Sequence, residues 1–474
     1  MYLSSLEHSY HDLWNVVIDP HPDGPLRLLD VGSLCQDMIR FTPYNGAEYY
    51  TLSYVWGQPN NNATTMLSRL NPFTPDGLRV AAKVLHELGA KYVWIDALCI
   101  NQAYDKNGMA ERNREIPNMG KYYNNAKTTV VFPYGLGVLS CLSVEPLPRW
   151  FTRGWTLQEY QMSSNCVFVF GPSIKKFFGV GMVGGPLDGY VGDGYVRITK
   201  EMMPWYMRAM TGQYTGKSPY KAPKNMWKDI DRESALLVEY DPNNKNDVMQ
   251  RSTFRDCFRE EDRVYCIMSY FGAKVNVEYG IGMYEALRNL LCSISPDDIP
   301  SLLLTNWYPS DDTPKDLCSL STFSRDTAAL WFNARSPICK CTYIRNVGIE
   351  ISTKTVDVEI YNTHEVGEEY NYFATINGLC NMSMTTFGLR DIGNKTPKHA
   401  YGVVQKVGRM KLVAIGRFQR MQSILTGAVE YRGDWICSLV CTQIKGNIYR
   451  KVGMCCLNME NCKEYVSDKV LILA

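Results

Sequence analysis

The chain has 474 residues, 50 of them basic and 48 acidic, for a net charge of +2. That length exceeds one ordinary core and predicts two or three domains. A composition that is 45% hydrophobic, with 31 Tyr and 10 Trp, excludes a largely disordered polymer, and the charge balance argues against nucleic acid or an anionic membrane as partner.

The first residues, "MYLSSLEHSYHDLWNVV", mix acids and histidines with apolar positions and lack the core of a signal peptide. The longest uncharged stretch, Thr128 to Val144, is too short to span a bilayer and is broken by Pro133, Gly135 and Gly137. A cytoplasmic protein is expected, with its 16 cysteines reduced; the "NAT" at Asn62 is then a chance sequon.

Leu26 to Leu29 and Tyr49 to Val55 are apolar runs of strand length. "TPDGLRVAAKVLHELG" follows with Leu78, Ala81 or Ala82, Leu85 and Leu88 at helical spacing, Thr74 as cap, Pro75 in the first turn and Gly89 at the exit. "YVWI" at 92–95 reads as a buried strand ending at Asp96. A second helix is predicted over Met109 to Ala126, kinked by Pro117. "TTVVF" is a strand, "RWFTRGWTLQEYQM" a third helix, and "CVFVF" a closing strand. This alternation predicts a doubly wound α/β domain with a parallel sheet over residues 25–172.

Residues 173–335 are less regular. A Gly-rich loop at 179–194 precedes helical stretches at "FREEDRVYCIMSYFG" and "MYEALRNLL". Residues 336–474 carry short β-prone runs, "VDVEIY", "KLVAIGRF", "WICSLVC" and "KVLIL", and predict a mainly β module. Two phosphate-loop look-alikes fail on context. "GVGMVG" at 179–184 is followed by "GPLDGYVGDG", which cannot open a helix, and "GQYTGKS" at 212–218 follows no strand. The cysteine spacings (Cys339 and Cys341, Cys437 and Cys441, Cys455, Cys456 and Cys462) form no zinc knuckle, so no metal is expected and these thiols read as small hydrophobes.

In "RGWTLQEY" an ionisable acid, Glu159, stands in a stretch otherwise suited to burial. In open parallel sheets, ligands bind beyond the carboxyl ends of the strands. Trp56 and Gly57 fall there after the second strand; Asp96, Cys99, Asn101 and Gln102 fall there after the third. Arg153, Trp155 and Glu159 come from the third helix. A shared cleft is one reading of these residues. Packing and turn capping are the other.

"YTLSYVWG", "KYVWIDALCINQ", "IPNMGKYYNNAKTTVV" and "RWFTRGWTLQEY" resemble successive blocks of the HET, or heterokaryon incompatibility, domain of fungal proteins. "RLLDV" and "DRVYCIMSYFG" also resemble segments typical of that family. The resemblance implies non-self recognition and programmed cell death, an incompatibility partner protein of unknown identity, and self-association through the HET domain. HET domains are in turn distantly similar to TIR domains, with a TIR/flavodoxin-like fold, and several TIR domains cleave NAD. The TIR block resembles Ser-x-Trp-Cys-x-x-Glu, which puts Glu159 in the catalytic position. Arg153 stands where Ser is usual and Thr156 where Cys is usual, which weakens the transfer of catalysis more than that of fold.

NAD would then be a substrate, with no cofactor required. Nicotinamide leaves as a neutral ring from a cationic one, so no general acid is needed, unlike ordinary glycoside cleavage. One carboxylate, Glu159, suffices to hold the ribose and stabilise an oxocarbenium-like charge. Trp56, Gly57, Asp96, Arg153 and Trp155 would bind around it, a Trp face stacking on the pyridinium. Three readings follow: an NAD glycohydrolase, a non-catalytic signalling scaffold that self-associates and recruits partners, and a nucleoside-processing enzyme with another substrate.

Overall fold

A computed structural model describes residues 14, 18–55, 75–103, 105–133, 135–136, 149–170, 191–192, 195–200, 245, 248, 252, 255–303, 314, 317, 330–363, 371–376, 380–383, 385–387, 405–423, 427–429, 435–458 and 467–473. The chain divides into two compact units. The first holds Met1–Tyr240, Phe254–Tyr270 and Lys274–Ile281; the second holds Asp241–Thr253, Phe271–Ala273 and Gly282–Ala474. Trp56, Gly57, Thr74, "GVGMVG" and "GQYTGKS" lie outside the described residues.

The first unit is built on an eight-stranded sheet in the order β2-β1-β4-β3-β5-β6-β8-β7. The strands are β1 (Arg27–Asp30), β2 (Phe41–Pro43), β3 (Tyr50–Tyr54), β4 (Tyr92–Trp94), β5 (Thr129–Phe132), β6 (Cys166–Phe170), β7 (Val191–Gly192) and β8 (Tyr195–Thr199). β3, β4, β5 and β6 are mutually parallel. Every residue of β3 and β5 is buried, as expected of strands in the middle of a sheet.

The sheet is not wholly parallel, which corrects the sequence expectation. β1 runs antiparallel to both β2 and β4, and β8 runs antiparallel to β6 and β7. Between β1 and β2 lies only the short helix Val31–Leu34 with its flanking turns. A parallel crossover needs a dozen or more residues, so a link this short favours the antiparallel return.

Helix α1 (Pro75–Glu87) joins β3 to β4 and buries Leu78, Ala81, Ala82, Val84 and Leu85. Gly89 ends it at φ +77°, the left-handed conformation that glycine adopts without strain. The helix expected over Met109 to Ala126 is instead α2 (Lys106–Glu115), a 3₁₀ turn at Ile116–Asn118 and α3 (Met119–Asn125). Pro117, which lacks an amide hydrogen, sits inside that turn and divides the helix. α2 also begins earlier than expected because the Asp105 carboxylate accepts from the Gly108 amide at 2.7 Å.

α4 (Gly154–Met162) precedes β6 and is held at both ends. At its start Gly154 N–H donates to Asp256 O at 3.0 Å, and Arg255 donates to Arg153 O at 2.9 Å and Thr156 Oγ1 at 3.0 Å. At its end Lys200 donates to the Tyr160 and Ser163 carbonyls, a cation meeting the negative end of the helix. A run of hydroxyls, Thr51, Thr129 and Ser163, crosses the sheet and ends on Glu159 O at 2.6 Å.

The second unit is mainly β. Helix α5 (Met283–Ser293) precedes a sheet that has 11 strands among the described residues, in which Ile448–Asn458 and Ser467–Leu473 form a parallel pair and the other pairs are antiparallel. The strand Gly348–Thr363 pairs with Gln405–Ser423, which pairs with Trp435–Lys445, then Ile448–Asn458, then Ser467–Leu473, which returns to Gly348–Thr363. The pairing therefore closes on itself and covers what would be two free edges. Lys451 is buried in this unit and donates to Leu303 O at 2.6 Å; burial pushes its amine down to about 7.

Candidate functional site

β3 delivers two polar side chains at its carboxyl end. Ser53 and Tyr54 are successive residues, so they leave the strand on opposite faces. Ser53 Oγ accepts from the Trp150 indole at 2.7 Å and donates to Glu159 Oε2. Tyr54 O–H donates to Asp96 Oδ1 at 2.9 Å. Asp96 is the first residue of the short helix Asp96–Cys99 after β4, and its Oδ1 also accepts from the Ala97 amide at 2.7 Å.

Glu159 is 5% exposed, so its carboxyl has almost no water to stabilise a charge. Burial pushes its pKa up to about 8, and the Asp96 carboxylate adds to the shift. The Ser53 hydrogen bond and the cations of Arg153 and Arg255 pull the other way. At neutral pH the free protein thus keeps Glu159 largely protonated, yet close to titration.

Trp155 is half-buried one helical turn before Glu159. Its indole N–H donates to Asp262, which also accepts from Tyr279 O–H at 2.9 Å. Burial raises Asp262 to about 6, opposed by those two hydrogen bonds and by Arg259 and Arg153. Arg153 is half-buried and acts electrostatically on both carboxyls.

Glu159, Asp96, Arg153 and Trp155 therefore belong to one electrostatic neighbourhood. Cys99, Asn101 and Gln102 serve their own loop. Cys99 Sγ accepts from Ile95 N and burial pushes its thiol up to about 12, Asn101 Oδ1 accepts from Ala103 N, and Gln102 donates to Ile100 O. Among the described residues no group of three or more His, Cys, Asp or Glu is arranged to hold a metal ion.

A family model described as "Heterokaryon incompatibility protein (HET)" matches residues 49–136. The chain carries a HET domain. The chain is also similar to the Vegetative incompatibility protein HET-E-1 of Podospora anserina, at 24% identity over 265 residues. That alignment covers 53% of this chain and 16% of the relative, so the chain spans a small part of its length. No solved structure matches.

The matched stretch of the HET domain supplies Ser53, Tyr54 and Asp96, whereas Arg153, Trp155 and Glu159 lie beyond it. Sequence reasoning missed Ser53, Trp150, Arg255, Asp262 and Tyr279. One signal for Ser53 was present: a serine within an otherwise apolar or aromatic buried strand end needs a partner. Arg255, Asp262 and Tyr279 come from a segment far down the chain, and no local spacing ties them to α4.

Proposed function

We propose that this chain acts in heterokaryon incompatibility and that its HET domain cleaves NAD to nicotinamide and ADP-ribose, killing the cell in which it is triggered. The observation that carries this reading is Glu159: a buried carboxyl, oriented by Ser53, with a strongly raised pKa to which the charge of a second acid, Asp96, contributes. The four parallel strands support it. In chain order among themselves they lie 2-1-3-4, the first part of the flavodoxin-like order that TIR-like domains share, with a switch point between β3 and β5.

The charge logic is consistent with a cationic substrate. A pyridinium beside a desolvated carboxyl lowers the carboxyl pKa, so NAD binding draws the proton off Glu159. The carboxylate is then in place as nicotinamide departs with the electrons of the glycosidic bond and positive charge develops on the ribose. Arg153 would meet a phosphate of the substrate, and Trp155 and Trp56 would offer aromatic faces. The protein is expected in the cytoplasm, self-associating through this domain and triggered by an incompatibility partner.

A second reading is favoured by the 5% exposure of Glu159, which also suits a structural acid in a non-catalytic signalling scaffold. Incubating the purified chain with NAD and measuring nicotinamide separates the two. Glu159→Gln keeps shape and hydrogen bonding and should lose about 10²–10³ in rate, while remaining folded. In a fungal host, killing by well-folded Glu159→Gln without NAD depletion would leave only the scaffold.

A further inference from the structure

Two cysteines outside the HET match meet at the start of the helix that carries Glu159. Cys257 is half-buried and Cys266 fully buried, and both are free thiols. They are within hydrogen-bonding reach of each other. Both also press on Gly154: a Cβ there would lie 2.3 Å from Cys257 Sγ and 3.3 Å from Cys266 Sγ. Gly154 is the first residue of α4, and only glycine leaves the two sulfurs room beside the backbone.

The surrounding backbone makes this contact consequential. Asp256, next to Cys257, accepts from Gly154 N–H, and its own amide donates to Thr152 O at 2.6 Å. Arg255, on the other side, holds Arg153 O and Thr156 Oγ1. Between the two cysteines lies Asp262, the acceptor of the Trp155 indole. The loop closed by the thiol pair therefore contains Asp262 and begins directly after Arg255 and Asp256, the residues that hold the start of α4.

We propose that Cys257 and Cys266 are a redox site: a peroxide-class oxidant converts them to a disulfide that locks the N-terminal end of α4. Cys257 is the less buried partner and reacts first. Its sulfur attacks the peroxide, an S–O bond forms as the O–O bond breaks, and water leaves. Cys266 sulfur then attacks Cys257, forming the S–S bond as the S–O bond breaks, and a second water departs. Two thiols and one peroxide thus give one disulfide and two waters, with the thiols oxidised and the peroxide reduced. The sulfurs close to about 2.05 Å, against the face of Gly154, and fix the segment that holds Arg153 and Trp155. In a reducing compartment the pair stays open until oxidant appears.

The test treats the full chain with stoichiometric hydrogen peroxide, alkylates under denaturing conditions and maps the peptides. A Cys257–Cys266 cross-link, reversed by dithiothreitol, is expected, together with slower amide exchange across residues 154–162. Cys257→Ser treated identically should show no change in exchange over α4, and Cys266→Ser, which leaves the entry thiol in place, should behave the same way. The other close pair, Cys339 and Cys341 with sulfurs 3.7 Å apart, gives a separate peptide and is scored independently. The proposal is overturned if Cys257 and Cys266 both remain alkylatable, if either links to another cysteine instead, or if the cross-link leaves exchange over α4 unaltered. That oxidation also lowers nicotinamide release rests on the glycohydrolase reading. The mapping and exchange measurements do not involve NAD, so the two ideas fail separately.

Discussion

Replacing Glu159 by Gln should change how stability depends on pH, independently of any activity. The folded carboxyl titrates near 8 against an ordinary value of 4.5. Between those values the folded chain holds a proton that the unfolded chain has released. Stability from this group is therefore fully present below about 4.5 and is lost as pH rises towards 8, at about 1.4 kcal/mol per pH unit. Asp262, raised from 3.8 to about 6, adds a slope of the same sign that fades above pH 6; it is common to both proteins and cancels in their difference, which is read over the window from 6 to 8. Gln cannot titrate, and the wild-type minus variant stability should fall by ~2 kcal/mol across that window, the slope having halved by pH 8. Lys451 titrates near 7 in the second unit, but it is common to both proteins and cancels in the difference. Urea unfolding followed by tryptophan fluorescence at pH 6, 7, 8 and 9 measures it. Parallel curves for the two proteins would refute the assignment of a proton to Glu159 in the fold.

Ser53→Ala removes a hydrogen bond that favours the Glu159 carboxylate, so the pH–rate profile for nicotinamide release should move to higher pH. The orphaned Trp150 indole should also cost about 1–3 kcal/mol in unfolding measurements. Trp155→Phe keeps an aromatic face but deletes the donor to Asp262, so stability should drop by about 1–3 kcal/mol while KM for NAD stays within a few-fold. A large rise in KM would instead give the indole N–H a role in binding. Asp105→Ala, at the start of α2, should cost about 1 kcal/mol and leave nicotinamide release unchanged, as judged by melting temperature and turnover on one preparation.

The middle of the sheet was legible because β3, β4, β5 and β6 are apolar runs that only burial explains. The flanks were not, since strand direction depends on connection length and pairing rather than on the residues of the strand. β1 carries the apolar signature of a core strand yet runs against β4. The start of α2 was hidden by its composition, "KNGMAERNRE", which has almost no apolar stripe to reveal a helix. Glu159, Asp96, Trp155 and Arg153 were legible as chemistry out of place in their surroundings. Ser53, which orients Glu159, was readable only as a polar residue without an obvious reason. The return of Ser467–Leu473 to Gly348–Thr363 was invisible, because ring closure pairs residues more than a hundred positions apart.

The placement of Arg255 and Asp262 has a direct consequence for what counts as the functional unit. The family match ends at residue 136 and the parallel strands end at Phe170, yet α4 depends on groups beyond both. Gly154 N–H, Arg153 O, Thr156 Oγ1 and the Trp155 indole find partners in residues 255–262. A chain cut after residue 200 loses all of them together. Each buried polar group left without a partner costs about 1–3 kcal/mol, and removal of Arg255 also takes away a cation that favours ionised Glu159. The truncated chain should therefore melt well below the full chain. If it still turns over NAD, it should do so with a pH profile displaced towards alkali. Adding back residues 201–281, which restores the segment without the second unit's sheet, should recover both properties. Equal melting temperatures for the chain cut at 200 and the chain cut at 281 would show that α4 is set by the sheet alone, and residues 255–262 would lose their role in positioning the helix that carries Glu159.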